Sequence, residues 1–186
     1  NFTGYRGSPA GLNGVIDFQG VDRNVVRNNN FTDNKYIIFS IYTGSDNNLF
    51  IGNYVNITGS TIYDIDTSHN NTIINGIIAN SGGNGLLPQG SQNGTYSYVT
   101  ISNASNGISS GTGSGLQARN YYYNMTINAS RSTGISLGGR SNSSYVWNAT
   151  INNSGTVGVY IANSNDIILE RINVTNSTEW DMNVNS

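Results

Sequence analysis

Only 10 % of the 186 residues are charged, against about 25 % in an ordinary soluble domain, and the net charge of −2 excludes the basic footprint of a nucleic-acid binder. The lack of cysteine excludes a disulfide framework and thiolate chemistry, and no apolar run reaches the length of about 18 residues that a transmembrane helix needs. Polarity comes instead from 32 Asn, 23 Ser, 16 Thr and 12 Tyr, neutral groups suited to extracellular structure or carbohydrate contact.

Residues 1–19 are Gly-rich and read as an irregular N-terminal segment; repeating coils are expected over 20–185, in a single domain spanning 1–186. The chain starts at Asn1 rather than Met, as expected of a processed secreted protein or an excised fragment. Asp17, Asp22, Arg23 and Arg27 follow one another closely. Such a set could hold an acidic sugar and Ca2+; an ion-pair cluster on the first coils is the commoner arrangement.

A short apolar centre then recurs at Phe31, Ile57, Ile78, Ile101, Ile127, Ile151 and Val174, with spacings of 26, 21, 23, 26, 24 and 23. In the clearest copies a small polar residue follows the centre, and a Gly with a small aliphatic comes seven or eight residues later. Within a copy the period is two, as in Tyr98-Val99-Thr100-Ile101-Ser102, which is the pattern of a half-buried strand. Asn, Gly and Ser clusters separate the copies, among them Asn28–Asn30, Ser81–Asn84, Gly111–Gly115 and Gly138–Asn142. These residue types tolerate the positive φ of tight corners.

Between the second and third centres lie Asp64, Asp66 and His69, the only histidine. Carboxylates at i and i+2 share one face of a strand. They could act as acid and base in glycoside hydrolysis or bind Ca2+; a solvated strand face leading into a corner is the commoner arrangement. Farther on stands Tyr121-Tyr122-Tyr123, with Tyr96, Tyr98 and Tyr145 nearby. Tyr faces stack on sugar rings or on a partner, and packing inside the rod or between subunits is the commoner use. The last segment, Trp180-Asp181-Met182-Asn183-Val184, reads as one more strand.

A self-similar period of 20–50 residues marks stacked supersecondary units. About 24 residues carrying two or three short strands make one coil of a parallel β-helix. The expected fold is therefore all-β, a right-handed parallel β-helix of about seven to eight coils, roughly 35 Å long at a strand spacing of ~4.8 Å. Ile, Val and Leu would stack inside, with Asn laddered at the corners as in cross-β stacks. The alternative is an antiparallel β-sandwich, since Asn13-Gly14, Asn75-Gly76, Asn93-Gly94 and Asn106-Gly107 could each make a two-residue hairpin.

Asn-x-Ser/Thr occurs thirteen times, at Asn1, Asn30, Asn56, Asn70, Asn93, Asn103, Asn124, Asn128, Asn142, Asn148, Asn152, Asn173 and Asn176. This is the acceptor pattern of a glycosylated surface protein. Asn30, Asn56 and Asn173 fall on the repeat centre and are expected to be inward or laddered, where no glycan fits. Asn93 and Asn142, in Gly/Ser-rich stretches, are the better glycan candidates.

The copies Ile101-Ser102-Asn103-Ala104-Ser105-Asn106-Gly107-Ile108 and Ile127-Asn128-Ala129-Ser130-Arg131-Ser132-Thr133-Gly134-Ile135 resemble right-handed parallel β-helix repeat proteins of the pectin-lyase-like superfamily. More narrowly, the chain looks like the Asn/Ser/Thr-rich segments of archaeal, especially methanogen, cell-surface or sheath proteins. The resemblance covers roughly 20–185. Enzymes of that superfamily imply a polysaccharide lyase or hydrolase, yet this chain has no Gly-His-Gly, no adjacent Asp-Asp and a single Lys.

Nor is a Ser-His-Asp set, a phosphate loop or a His/Cys metal spacing present. The expectation is a non-enzymatic, secreted structural protein at the extracellular cell envelope. It would need no cofactor or metal, would not span a membrane, and would associate with itself into hoops or filaments of a sheath or surface layer. Two other expectations remain open. One is a polysaccharide lyase or glycoside hydrolase using Asp64, Asp66 and His69; the other is a carbohydrate-binding or adhesin module using Tyr121, Tyr122 and Tyr123.

Overall fold

A computed structural model describes residues 2–3, 14–111, 117–139 and 141–185. The regular structure there is strand, and the chain passes through three parallel sheets in turn for about seven turns. The first sheet stacks Phe2–Thr3, Asn30–Asn34, Tyr54–Thr58, Ile77–Ser81, Thr100–Ser102, Thr126–Asn128, Thr150–Asn152 and Asn173–Thr175. The second stacks Gly14–Gln19, Ile37–Tyr42, Tyr63–Asp66, Asn84–Gln89, Asn106–Ser110, Ile135–Gly138, Val157–Ala162 and Trp180–Asn185. The third stacks Val25–Arg27, Leu49–Ile51, Thr72–Ile74, Thr95–Ser97, Tyr121–Tyr123, Tyr145–Trp147 and Ile168–Glu170. This is the parallel β-helix. The sandwich alternative fails because Asn75-Gly76, Asn93-Gly94 and Asn106-Gly107 lie between or within strands that pair in parallel one coil away. Asn13 lies outside the described residues.

Each coil aligns the same side chain over its neighbour, so one apolar position becomes a continuous column. In the first sheet the column is Phe31, Val55, Ile78, Ile101, Ile127, Ile151 and Val174, fully buried from Phe31 to Ile151. Burying each such side chain is worth about 1.5–3 kcal/mol. The register corrects the second centre from Ile57 to Val55. A two-residue slip keeps the same side of a strand, and for that reason the pattern alone does not reveal it. The aromatic rings Phe18, Phe31, Phe39, Phe50 and Tyr63 fill the early coils edge-on or stacked, with centroids 4.5–5.6 Å apart.

The N-terminal boundary is also corrected. Gly14–Gln19 is a six-residue strand of the second sheet, and Phe2–Thr3 pairs with Phe31-Thr32. Val15 to Phe18 contain enough β-formers to pair with Ile37–Tyr42, despite the Gly-rich surroundings. Asn1 and residues 4–13, 112–116 and 140 lie outside the described residues. At the other end Met182 and Val184 continue the inward rows of Val159 and Ile161. They are 46 % and 63 % exposed, because among the described residues no strand stacks beyond them.

The asparagines have two jobs. Among the described residues, twelve asparagines are among the 22 non-glycine residues with positive φ, the left-handed conformation that Asn adopts with little penalty. At the corner after the third sheet, Asn28, Gly52, Asn75, Tyr98, Asn124, Asn148 and Arg171 occupy equivalent places with φ of 52–60°. A Cβ at Gly52 would stand 2.6 Å from Asn28 Oδ1. Other asparagines turn inward and terminate backbone groups: Asn71 Oδ1 accepts from Asn48 N at 2.9 Å and its Nδ2 donates to Ser45 O at 2.9 Å. Both backbone groups that Asn71 serves are thereby satisfied away from water.

Candidate functional site

Asp64 is the candidate carboxylate whose surroundings alter its chemistry. It lies on the outward side of the second sheet, in register with Ser40 on one side and Leu87 on the other. Yet it is only 6 % exposed. Tyr42 Oη donates to its Oδ2 at 2.5 Å and Gln89 Nε2 to its Oδ1 at 3.2 Å. Burial raises the carboxyl pKa; the two donors oppose this, and the nearby Asp66 charge adds to it. Burial and the bond to Asp64 also push the Tyr42 hydroxyl up. The result is a carboxyl that holds its proton more tightly than a solvated one, with Asp66 two residues along on the same side.

His69 does not join this pair. It stands in a corner ladder in which a side chain caps the backbone of the next coil. Asp22 Oδ1 accepts from Asp46 N at 2.7 Å, Asp46 Oδ1 from His69 N at 2.6 Å, and His69 Nδ1 from Gln92 N at 3.2 Å. A ring nitrogen that accepts a backbone N–H is already occupied. The same ladder corrects the expected N-terminal cluster. Asp22 is a capping residue and Asp17 accepts from Gln19 Nε2 at 2.8 Å. Arg23 and Arg27 are exposed, and among the described residues no ion pair joins the four. No three His, Cys, Asp or Glu side chains group as a metal ion would require, among the described residues.

The tyrosine triplet splits by strand alternation. Tyr122 points inward and is fully buried, aligned with Tyr96 and Val146 and stacked on Tyr96 at 5.1 Å. It therefore drops out of any sugar contact, and so does Tyr96. Tyr121 and Tyr123 point outward and stack at 6.1 Å, with Tyr123 also edge-on to Tyr145 at 5.7 Å and to Trp147 at 6.5 Å. Arg171 lies over the Trp147 ring at 5.4 Å from its centroid. Tyr145 Oη donates to Glu170 Oε2 at 2.7 Å, and that bond holds its pKa up. Reading along the chain missed Trp147, because only the register brings residue 147 beside residue 123.

The two outward rows of this third sheet are nearly uncharged. They read Val25, Leu49, Thr72, Thr95, Tyr121, Tyr145, Ile168 and Arg27, Ile51, Ile74, Ser97, Tyr123, Trp147, Glu170. Val25 and Ile168 are each 57 % exposed. Apart from Arg27 and Thr72 the face is aliphatic in its first three strands, and it is aromatic from Tyr121 to Trp147.

Among the sequons, Asn30 and Asn173 are exposed and flank the centre rather than turning inward, whereas Asn56 is half-buried and laddered as expected, its Oδ1 accepting from Asn80 Nδ2 at 2.8 Å. The alternation that turns Phe31 and Val174 inward turns their neighbours outward. Asn93 is an exposed corner residue with φ of 56°. Asn142 lies in the short strand Ser141–Asn142, half-buried, and its Oδ1 accepts from Asn165 N at 2.9 Å, a ladder bond that, among the described residues, leaves its Nδ2 free. No protein-family model and no curated protein matches this chain.

Proposed function

We propose that this protein is a secreted structural building block that packs against copies of itself in an extracellular envelope, sheath or surface layer. The observation that carries this reading is the aliphatic half of the third sheet's outer face. Leu49, Ile51 and Ile74 lie side by side there with Val25, and Arg27 is the single charge among them. Contiguous apolar surface on a flat, rigid face marks a contact site, and few ions would need desolvation when two such faces meet. The parallel β-helix supports a rod that can stack or pack side by side, and the Asn-apolar-Thr copies are the feature on which a relationship to archaeal surface proteins is proposed.

Negative-stain electron microscopy and sedimentation velocity over a concentration series test the proposal. Ordered hoops, sheets or filaments are expected, and the double variant Ile51→Lys, Ile74→Lys should stay dispersed. A wild-type chain that remains a monomeric rod at high concentration would overturn it.

A second reading, an enzyme on envelope polysaccharide, is favoured by one observation, the raised pKa of buried Asp64 beside Asp66. It requires release of reducing or unsaturated sugar ends from an acidic polysaccharide, abolished by Asp64→Asn.

A further inference from the structure

Asn148 opens the sequon Asn148-Ala149-Thr150, which bends around the corner between the third and first sheets. The three residues separate cleanly. Asn148 is an exposed corner residue with φ of 53°, Ala149 is 1 % exposed and points into the core, and Thr150 faces out on the first sheet. A substituent on the Asn148 amide therefore leaves the rod without disturbing the core.

The neighbours say where that substituent goes. Arg171 occupies the equivalent corner place one coil later, and its guanidinium lies over Trp147, the residue before the preceding corner. The same relation, moved back one coil, sets the Asn148 corner against Tyr123, the residue aligned with Trp147; Asn is shorter than Arg, so a substituent on its amide, rather than the amide itself, spans the distance to the ring. Tyr123 is flanked by Tyr121, Tyr145 and Trp147. Asn148 Nδ2 donates one hydrogen to Asn124 Oδ1 at 2.7 Å. An amide nitrogen carries two hydrogens, so one remains for substitution while the corner ladder stays intact.

We infer that Asn148 carries an N-linked glycan whose first sugar packs its C–H face on the Tyr123 ring. The inference rests on the exported reading given above, because the modification acts on chains that leave the cytoplasm. In the reaction a glycosyl phosphate, or a lipid-linked glycosyl diphosphate, is the donor. Nδ2 forms a bond to the sugar's anomeric carbon and gives up one proton to a base on the transferase. The bond from that carbon to the phosphate oxygen breaks, and the phosphate leaves with the electron pair. The aromatic half of the face is thereby assigned to a sugar and the aliphatic half to a neighbouring copy.

The test is peptide mass spectrometry of the protein isolated from its own cells. The tryptic peptide 141–171 should carry a glycan localised to Asn148 by fragmentation, and Thr150→Ala, made in those cells, should remove it with the circular dichroism unchanged. An unmodified Asn148 on protein recovered from outside the cell overturns the inference and leaves the export reading standing; a chain found only in the cytoplasm overturns both.

Packing on Tyr123 is read from thermal midpoints. Thr150→Ala should lower the midpoint more in glycosylated protein than in the same pair made in the bacterial cytoplasm, and Tyr123→Ala should abolish the excess. An excess that survives Tyr123→Ala, or no excess at all, overturns the packing contact.

Discussion

Single residues in this rod are strained or stabilised by their place in a column. Tyr98 shows the first case. It sits at φ of 54° among Asn75, Asn124 and Asn148, and its ring is 61 % exposed. A non-glycine side chain in the left-handed region costs roughly 1–2 kcal/mol, a penalty that Asn partly escapes. Tyr98→Asn is expected to stabilise the protein by about 1 kcal/mol, since the exposed ring loses little burial and the new amide can extend the Asn124–Asn148 ladder. Urea denaturation would read this, and a fall in stability would contradict it.

Asp64 shows how burial makes stability depend on pH. Its folded pKa is raised above the ordinary carboxyl value of about 3.9. The folded state therefore binds this proton more tightly than the unfolded chain does. The contribution is fully present below about pH 3.9 and is lost as pH climbs through the raised folded value. Asp64→Asn cannot ionise, so the variant should gain stability relative to wild type between pH 3 and pH 7. Thermal melts at the two pH values measure the gap. A gap that stays constant or shifts the other way would mean that the bonds from Tyr42 and Gln89 outweigh the burial.

At the scale of the coil, the Asn columns replace the capping that helices would provide. Asn71 is 1 % exposed and serves two buried backbone groups of neighbouring coils. Asn71→Ala leaves both unpaired, at a cost of about 1–3 kcal/mol for each group. A loss of about 3 kcal/mol is expected, against less than about 0.5 kcal/mol for an ordinary exposed position such as Asn165→Ala. Denaturant midpoints of the two variants make the comparison.

The same column logic explains what could be read in advance. The 24-residue period, the alternation within copies and the Asn corners all follow from local pattern, and they were enough for the fold. Facts that need the neighbouring coil were hidden. Val55 rather than Ile57 lies under Ile78, and Tyr122 is buried while Tyr121 and Tyr123 are not. His69 caps Gln92 rather than facing Asp64. In each case the residue's own strand allows two placements, and contacts about 23 residues away choose between them.

Across the whole molecule, stability is close to a sum over coils and their interfaces, while contact with other molecules depends on the outer faces. Those faces carry so few charges that ionic strength becomes a diagnostic. Assemblies held by ion pairs weaken as salt shortens the Debye length from about 10 Å at 0.1 M to about 3 Å at 1 M. Apolar contact does not, and excluded salts such as sulfate strengthen it. The exposed pair Arg171–Glu170, at 3.8 Å, is too solvated to change this balance. If the Val25, Leu49, Ile51 and Ile74 face joins copies, association measured by light scattering should persist in 1 M NaCl and increase in sulfate. Dissociation in NaCl would move the contact to the scattered charges instead, and with it the basis for reading this face as the one that builds the envelope.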